Sequence, residues 1–407
     1  MNWSKRFGPG LLVTAAFVGP GTITTATKAG AEFGFSLLWV LAFAVVATIV
    51  LQEMAARLGI VSRSGLGEAL RSSFTHPIAR GGAIALVVAA IALGNAAFQT
   101  GNLTGAAMGL AVLTGVSHST WVVLVGVAAA GLLLSGTFRS IERVLIVLVG
   151  VMAGVFVVTA IMVRPDIAQL AKGMFRPSLP DGAYTTVIAL IGTTIVPYNL
   201  FLHASAAAKK WSDSSRIERS LSESRVDTIV AVALGGLMTL AVVATAATFF
   251  VRGATVDSAA AMARQLEPLL GRWAPGFFAI GLGAAGVTSA LTAPLAAAYA
   301  TCGALGWECD LRSWRFRAVW LAVIVAGMAA ALVWGESPVE TIIFAQVANG
   351  LILPIVAVFL LVAVNRRKLL DRFVNGPLAN VLGVLVVLIV TGLGYRKLAW
   401  AIEKLFP

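Results

Sequence analysis

Two short runs, Gly19-Pro20-Gly21-Thr22 and Val196-Pro197-Tyr198-Asn199, put a proline beside small or polar residues inside long apolar stretches. A proline there lacks the N–H that the helical ladder needs and clashes with the preceding turn, so each run reads as an interrupted helix. In hydrocarbon, an interruption leaves peptide groups without partners and is tolerated only where it lines a cavity or binds something. The chemistry on offer is neutral coordination: peptide groups at Gly19, Gly21 and Val196, the hydroxyls of Thr22, Thr193, Thr194 and Tyr198, and the amide of Gln346. Carboxylates are missing from it. The chain has 18, none in the central third of a long apolar segment, so a bare divalent cation would lack its usual charged partner. Three histidines, two cysteines and no buried acid give no nucleophile–base pair and no metal-ligand cluster, which argues against an enzyme or a bound cofactor.

The elements that must position these residues follow from composition. Hydrophobic residues make up 59% of 407 and charged residues 12%, with a mean hydropathy of +0.92, which marks a multispan membrane protein. Windows of about 20 apolar residues give about eleven spans. They lie near 10–31, 35–56, 82–110, 119–137, 143–163, 185–208, 227–250, 275–301, 317–334, 338–364 and 376–394. With the N-terminus inside, 20 of the 30 Lys and Arg residues fall on cytoplasmic segments, Lys5, Arg6, Arg139 and Arg143 among them. The positive-inside rule therefore favours a cytoplasmic N-terminus and an outer C-terminus. The net charge of +12 is read as a topology signal and a match to anionic lipid rather than to nucleic acid. Cys302 and Cys309, with six residues between them, have no second pair or neighbouring His, so neither a metal knuckle nor a disulfide framework is supported and their role is read as structural or incidental. The apolar run after Lys5 and Arg6 continues through Gly-Pro-Gly toward a second span, so it reads as a transmembrane helix rather than a signal peptide. No linker divides the chain, and one domain is expected over 1–407.

Pro20 and Pro197 interrupt the first and sixth spans, and each opens a block of five. An odd number per block forces the copies to be inverted, the 5+5 arrangement of many secondary transporters. Repeat one would cover about 10–163, repeat two about 185–364, and an additional helix about 376–394. The competing reading is two packed helices that are merely kinked.

Several motifs in order then resemble the NRAMP family of membrane transporters. They are Gly19 to Ile23, Lys28 to Phe35, Leu37 to Val40 and Leu51 to Gly59 in the first two spans, and Pro197 to His203 in the sixth. Gly281 to Leu295 resembles the family's eighth helix, and Gln346, Val347, Leu353 and Pro354 its tenth. The resemblance covers essentially the whole chain. It implies an all-α membrane protein of the LeuT type, with helices 1 and 6 unwound at mid-membrane, working by alternating access.

The departures from the family pattern carry most of the functional expectation. The family's first-helix Asp and Asn and sixth-helix Met, which hold a transition metal, correspond to Gly19, Thr22 and Val196. Alignment on Gly105 and Gly109 places neutral Gln99 and Asn102 at the third-helix acids of the proton route, and Tyr198 at a sixth-helix His. His203 remains, as a relay or as a structural hydrogen bonder. Outside the first break, Ala26 replaces an acid and Lys28 a Gln, so this end of the pathway should be more positive. Helix N-termini aimed at the same space, taken to start after Gly21 and Pro197, add to that field and favour an anion or a polar neutral molecule. Alternatively Lys28 snorkels to the headgroups. Lys28, Gln99, Asn102, Asn199, His203 and Asn349 are candidate pathway residues, and Thr288 and Ser289 could hold a coupling ion, with sodium or protons both open. The leading expectation is a monomeric bacterial-type plasma-membrane transporter of a small inorganic anion such as bicarbonate. The alternatives are uptake of a hydrated hard cation such as magnesium, or a sensor that does not transport. Gly101, Gly105 and Gly109 are read as a packing face.

Overall fold

The computed structural model describes residues 9–10, 18–135, 138–212, 216–251 and 254–405, with side chains left undescribed at 138–145 and 396–405. Lys5 and Arg6, most of the first half of the first span, and the side chains of Arg139 and Arg143 lie outside that description.

Among the described residues the architecture is all-helical. Helix α1 runs Pro20–Phe33, with Pro20 in the first turn where a missing N–H costs nothing; it stops at Gly34, whose φ of +59° ends the ladder. Helix α2 is Leu38–Ser62 and α3 the short amphipathic Leu66–Ser73, with Glu68 in its first turn and Arg71 in its last, the order that suits the helix dipole. Then come α4 Pro77–Thr114, α5 His118–Ser135, α6 Phe138–Met162 and α7 Ile167–Phe175. Asp166 caps α7 by accepting from the N–H groups of Ala168 and Gln169 at 2.9 and 3.1 Å. The second half holds α8 Tyr184–Thr194, α9 Pro197–Lys210, α10 Ile217–Phe249, α11 Ala274–Leu305, α12 Trp314–Trp334, α13 Pro338–Val364 and α14 Pro377–Leu405.

Nine described helical segments are long and apolar enough to cross a bilayer, taking α8 and α9 together as one. The fifth expected span is found as Ile146–Met162, which turns by 117° into α7 rather than ending in a loop. The seventh begins ten residues before its apolar window, at Ile217. Its polar first turns stay helical because Arg219 and Glu223 pair one turn apart, 2.9 Å between charged atoms.

One end of the bundle is fastened by charge. The Arg57 guanidinium is almost buried and donates to Phe373 O and Asn375 Oδ1, each at 2.6 Å, while pairing with Glu53. Glu53 also accepts from Arg225 at 3.1 Å, so one acid ties α2 to α10 and, through Arg57, to the segment ahead of α14.

The core itself is joined by missing side chains. A Cβ on Gly105 of α4 would land on the Pro20 ring, and one on Gly109 within 2.6 Å of Ala279 O on α11. Gly286 of α11 meets Ala106 of α4 in the same way, and Gly192 of α8 lies against the backbone of Gln346 and Gly350 on α13. This is small-residue packing of membrane helices, as expected for Gly101, Gly105 and Gly109. Gly105→Ala should therefore lower the melting temperature in detergent by the equivalent of about 1–3 kcal/mol, the usual cost of overpacking. Gly131→Ala on α5, with no atom near the added methyl, should leave it unchanged.

Candidate functional site

The site is built where α1 and α9 begin. Gly19 is extended (φ −112°, ψ −174°) and Pro20 starts the helix, two residues before the start expected after Gly21, so Gly21 lies inside it. Gly19 O takes the N–H of Thr22 and of Ile23 at 3.1 and 3.3 Å, which closes the first turn. At the second break α8 ends at Thr194, Ile195 and Val196 are non-helical, and Pro197 starts α9, with Val196 O accepting the Asn199 N–H at 3.1 Å. A proline in the first turn of each half-helix removes one orphan donor and fixes φ for helix entry.

Three polar groups gather at the breaks. The hydroxyls of Thr22 and Thr193 are 2.8 Å apart and join α1 to α8 directly. The Gln346 amide, from α13, lies on Gly21 and leaves no room there for a Cβ; its Nε2 stands 3.6 Å from where one on Gly101 would be. Gln346 Nε2 makes a 3.4 Å bond to Ile342 O, and its Oε1 has no partner. Beside Gly19 a Cβ would sit 2.8 Å from Ser289 Oγ and 3.9 Å from Asn102 Oδ1. Asn102 Nδ2 and Ser289 Oγ are buried without a hydrogen-bond partner. Leaving such atoms unpaired costs about 1–3 kcal/mol each, so the surroundings of residue 19 are polar and unsatisfied.

Other expected residues are placed differently. Thr194 Oγ1 donates to Leu190 O at 2.8 Å inside its own helix, and its carbonyl accepts from Thr48 at 3.2 Å. Tyr198 is buried with its ring edge-on to Phe98, centroids 5.2 Å apart, and Asn199 and Val196 are buried next to it. Gln99 faces the α11–α12 side, donating to Ala290 O at 3.2 Å and packing on Gly327, so it glues helices rather than lining the breaks. Asn349 lies at the α4–α13 seam near Gly94, its Nδ2 unpartnered. His203 sits six residues into α9, about 9 Å along the axis from Pro197. Its Nδ1 is bonded to Gln52 Oε1 of α2 at 2.8 Å. Thr288 and Ser289 separate: Thr288 bonds back to Ala284 O at 2.8 Å and faces an apolar cavity of about 150 Å³ lined by Val18, Val149 and Met238, while Ser289 alone reaches Gly19. Consecutive helical residues point about 100° apart, so the two hydroxyls are directed to different neighbours.

Lys28 also departs from expectation. It pairs with Glu32 one turn on, so its charge is offset and the gain in positive field at this end is smaller than the sequence suggested. Gln265, in the helical turns ahead of α11, went unnoticed in the sequence. Its Nε2 bonds Thr27 Oγ1 of α1 at 2.8 Å in full burial and closes the space beyond the break. A lone Gln in short helical turns between spans gives no periodic signal that could have revealed it.

Among the described residues no group of three or more His, Cys, Asp or Glu could hold a metal ion. Residues 10–399 match the family described as natural resistance-associated macrophage protein-like. A relative from Yersinia pestis named divalent metal cation transporter MntH is 32% identical over 398 residues, covering 95% of this chain and 92% of its own. Among solved structures, the Eremococcus coleocola manganese transporter, in complex with an aromatic bis-isothiourea compound, aligns with a TM-score of 0.81 at 24% identity, over 98% of this chain and 87% of that one. Mhp1 in an inward-facing conformation aligns at 0.60 and 15% identity, over 98% and 91%. At these identities the structures establish the fold, an all-helical transporter architecture of the LeuT type.

The Gly21–Gln346 contact is open to a double-mutant cycle. Gly21→Ala should lower the melting temperature because its methyl displaces the Gln346 amide. Adding Gln346→Ala should recover most of that loss, a coupling of about 0.5–3 kcal/mol between touching residues.

Proposed function

The chain belongs to the natural resistance-associated macrophage protein-like family of membrane transporters, and we propose that within it this protein moves a small inorganic anion, bicarbonate foremost, by alternating access. One observation carries the reading. At Gly19 there is no carboxylate; Ser289 Oγ and Asn102 Oδ1 stand 2.8 and 3.9 Å from where a Cβ would be, and Ser289 Oγ and Asn102 Nδ2, both able to donate, are buried without a partner. Gln346 Oε1 adds an unpartnered acceptor from the other side, suited to the O–H of bicarbonate. The positive ends of α1 and α9 face the same region and favour negative charge. Glycine, threonine and valine at 19, 22 and 196 supply neither the charge that offsets dehydration of a metal ion nor the thioether that selects a soft one.

In this scheme the anion enters from outside, is bound between the half-helices near Thr22, Thr193 and Tyr198, and is enclosed by Gln346. The group containing spans 1 and 6 then rocks against spans 3, 4, 8 and 9, using the two repeats at about 10–163 and 185–364. The N-terminus is cytoplasmic and the C-terminus outside, in a bacterial-type plasma membrane; the transporter works as a monomer with a coupling ion, sodium or proton, still to be identified.

A second reading is uptake of a hydrated divalent cation such as magnesium. The name of the Yersinia relative supports it, and neutral oxygen ligands suit an ion that keeps its water. Proteoliposome flux separates the two. Labelled bicarbonate should accumulate and be lost in Gly19→Asp, which puts a negative charge against Ser289. Magnesium or manganese uptake by the unaltered chain, or bicarbonate flux that Gly19→Asp leaves unchanged, would overturn the anion assignment.

A further inference from the structure

Helix α11 ends in a Schellman turn. Trp307 N–H bonds Cys302 O at 2.8 Å, Gly306 N–H bonds Gly303 O at 3.2 Å, and Gly306 takes a φ of +71°. The reversal folds residues 307–310 back along the helix they have just left, which brings the chain's two cysteines together. Cys302 is fully buried in a cluster with Phe316 and Trp320, and Cys309, half-buried, packs against the same cluster. The two residues thus share one packed cluster at the reversal.

A third group completes the arrangement from another helix. Cys309 Sγ lies 3.7 Å from Glu68 Oε1 of α3 and 3.6 Å from Trp307 O. The Glu68 carboxylate rests on Gly303, where a Cβ would stand 2.7 Å from Oε2, and Arg71, one turn further along α3, covers Gly306. The thiol of Cys309 is thus a donor through which α3 is docked on the end of α11. The neighbouring Cys302, burial and the Glu68 charge push its pKa up, which keeps it protonated and slow to react at rest.

We propose that Cys302 and Cys309 form a reversible intramolecular disulfide whose closure loosens α3 from α11, with a low-molecular-weight disulfide as oxidant. The Cys309 thiol, the more accessible of the two, passes its proton to the Glu68 carboxylate beside it and attacks one sulfur of the oxidant, forming a mixed disulfide and releasing one thiolate. The Cys302 thiolate then attacks Cys309 Sγ, forming the internal bond and expelling the second. Two protein thiols and one disulfide become one protein disulfide and two small thiols, the two protons passing to the released thiolates. Closure removes the S–H that Glu68 accepts while the carboxylate stays beside Gly303. The positive-inside reading puts this end in the cytoplasm, where a reduced resting state and transient, sensing disulfides are the rule. Metal capture is the poorer use of the pair, since no third ligand completes a site among the described residues.

The chain has only these two cysteines, so the test is clean. Full-length protein in proteoliposomes is equilibrated with oxidised glutathione, quenched by alkylation and weighed intact. The expected product has lost two hydrogens and carries neither an alkyl group nor a glutathione, and dithiothreitol restores it. Amide exchange of Leu66–Ser73 should rise with the bond and fall on reduction. Cys302→Ala should stop at a stable glutathione adduct on Cys309, and Cys309→Ser should not react, its α3 exchange indifferent to oxidant. Wild-type protein that stops at the adduct, resists oxidation, or forms the bond with unaltered α3 exchange would overturn the proposal.

Discussion

Within the apolar part of a membrane, each peptide group must find a partner inside the protein, and two helices of this chain begin there. The rest of the structure answers that constraint. Pro20 and Pro197 open the two half-helices, so each start lacks one N–H that would otherwise need a partner. Gly19 O and Val196 O close the first turns, and the Thr22–Thr193 hydroxyl contact ties one break to the other. Close to Gly19 and Gly21, atoms of Asn102, Ser289 and Gln346 are among the buried side-chain atoms left without a partner.

Such an arrangement needs backbones to approach closely, which explains where the glycines are. Gly105 accepts the Pro20 ring, Gly21 and Gly101 admit the Gln346 amide between α1 and α4, and Gly192 lets α8 lie on α13. Apolar burial offers little drive for helix association in lipid, so van der Waals contact at small residues takes that role. Charge is kept at the ends of the bundle. Arg57, Glu53 and Arg225 fasten α2, α10 and the segment before α14, and Lys28 is offset by Glu32. The field at the centre is therefore set by peptide dipoles and neutral donors, with the nearby surface charges partly cancelled.

The two ends of α1 differ in character. Its start faces unsatisfied amides and hydroxyls, whereas further along Thr27 is bonded to Gln265 in full burial, a seal between the break and the far side. A transporter working by alternating access must open one such closure at a time. The α3–α11 contact, held by Glu68, Cys309 and Gly303, belongs to a different part of the bundle, so a chemical change there would act on helix docking and not on the ligand.

Most of the architecture could be read from residue order. Apolar length located the spans, two prolines located the breaks, glycine at four-residue spacing identified the α4 packing face, and family motifs ordered the whole, because helix formation and bilayer insertion depend on local composition. The absence of acids at the breaks was equally legible. Tertiary structure decided which polar side chains share a space. Ser289 reaches Gly19 while Thr288 turns to an apolar cavity, Thr194 bonds back to its own helix, Gln99 faces α12, and Cys302 meets Cys309 across a reversed chain. Side-chain direction depends on helix rotation and on which neighbour lacks a Cβ, and both are set by contacts between residues far apart in the chain.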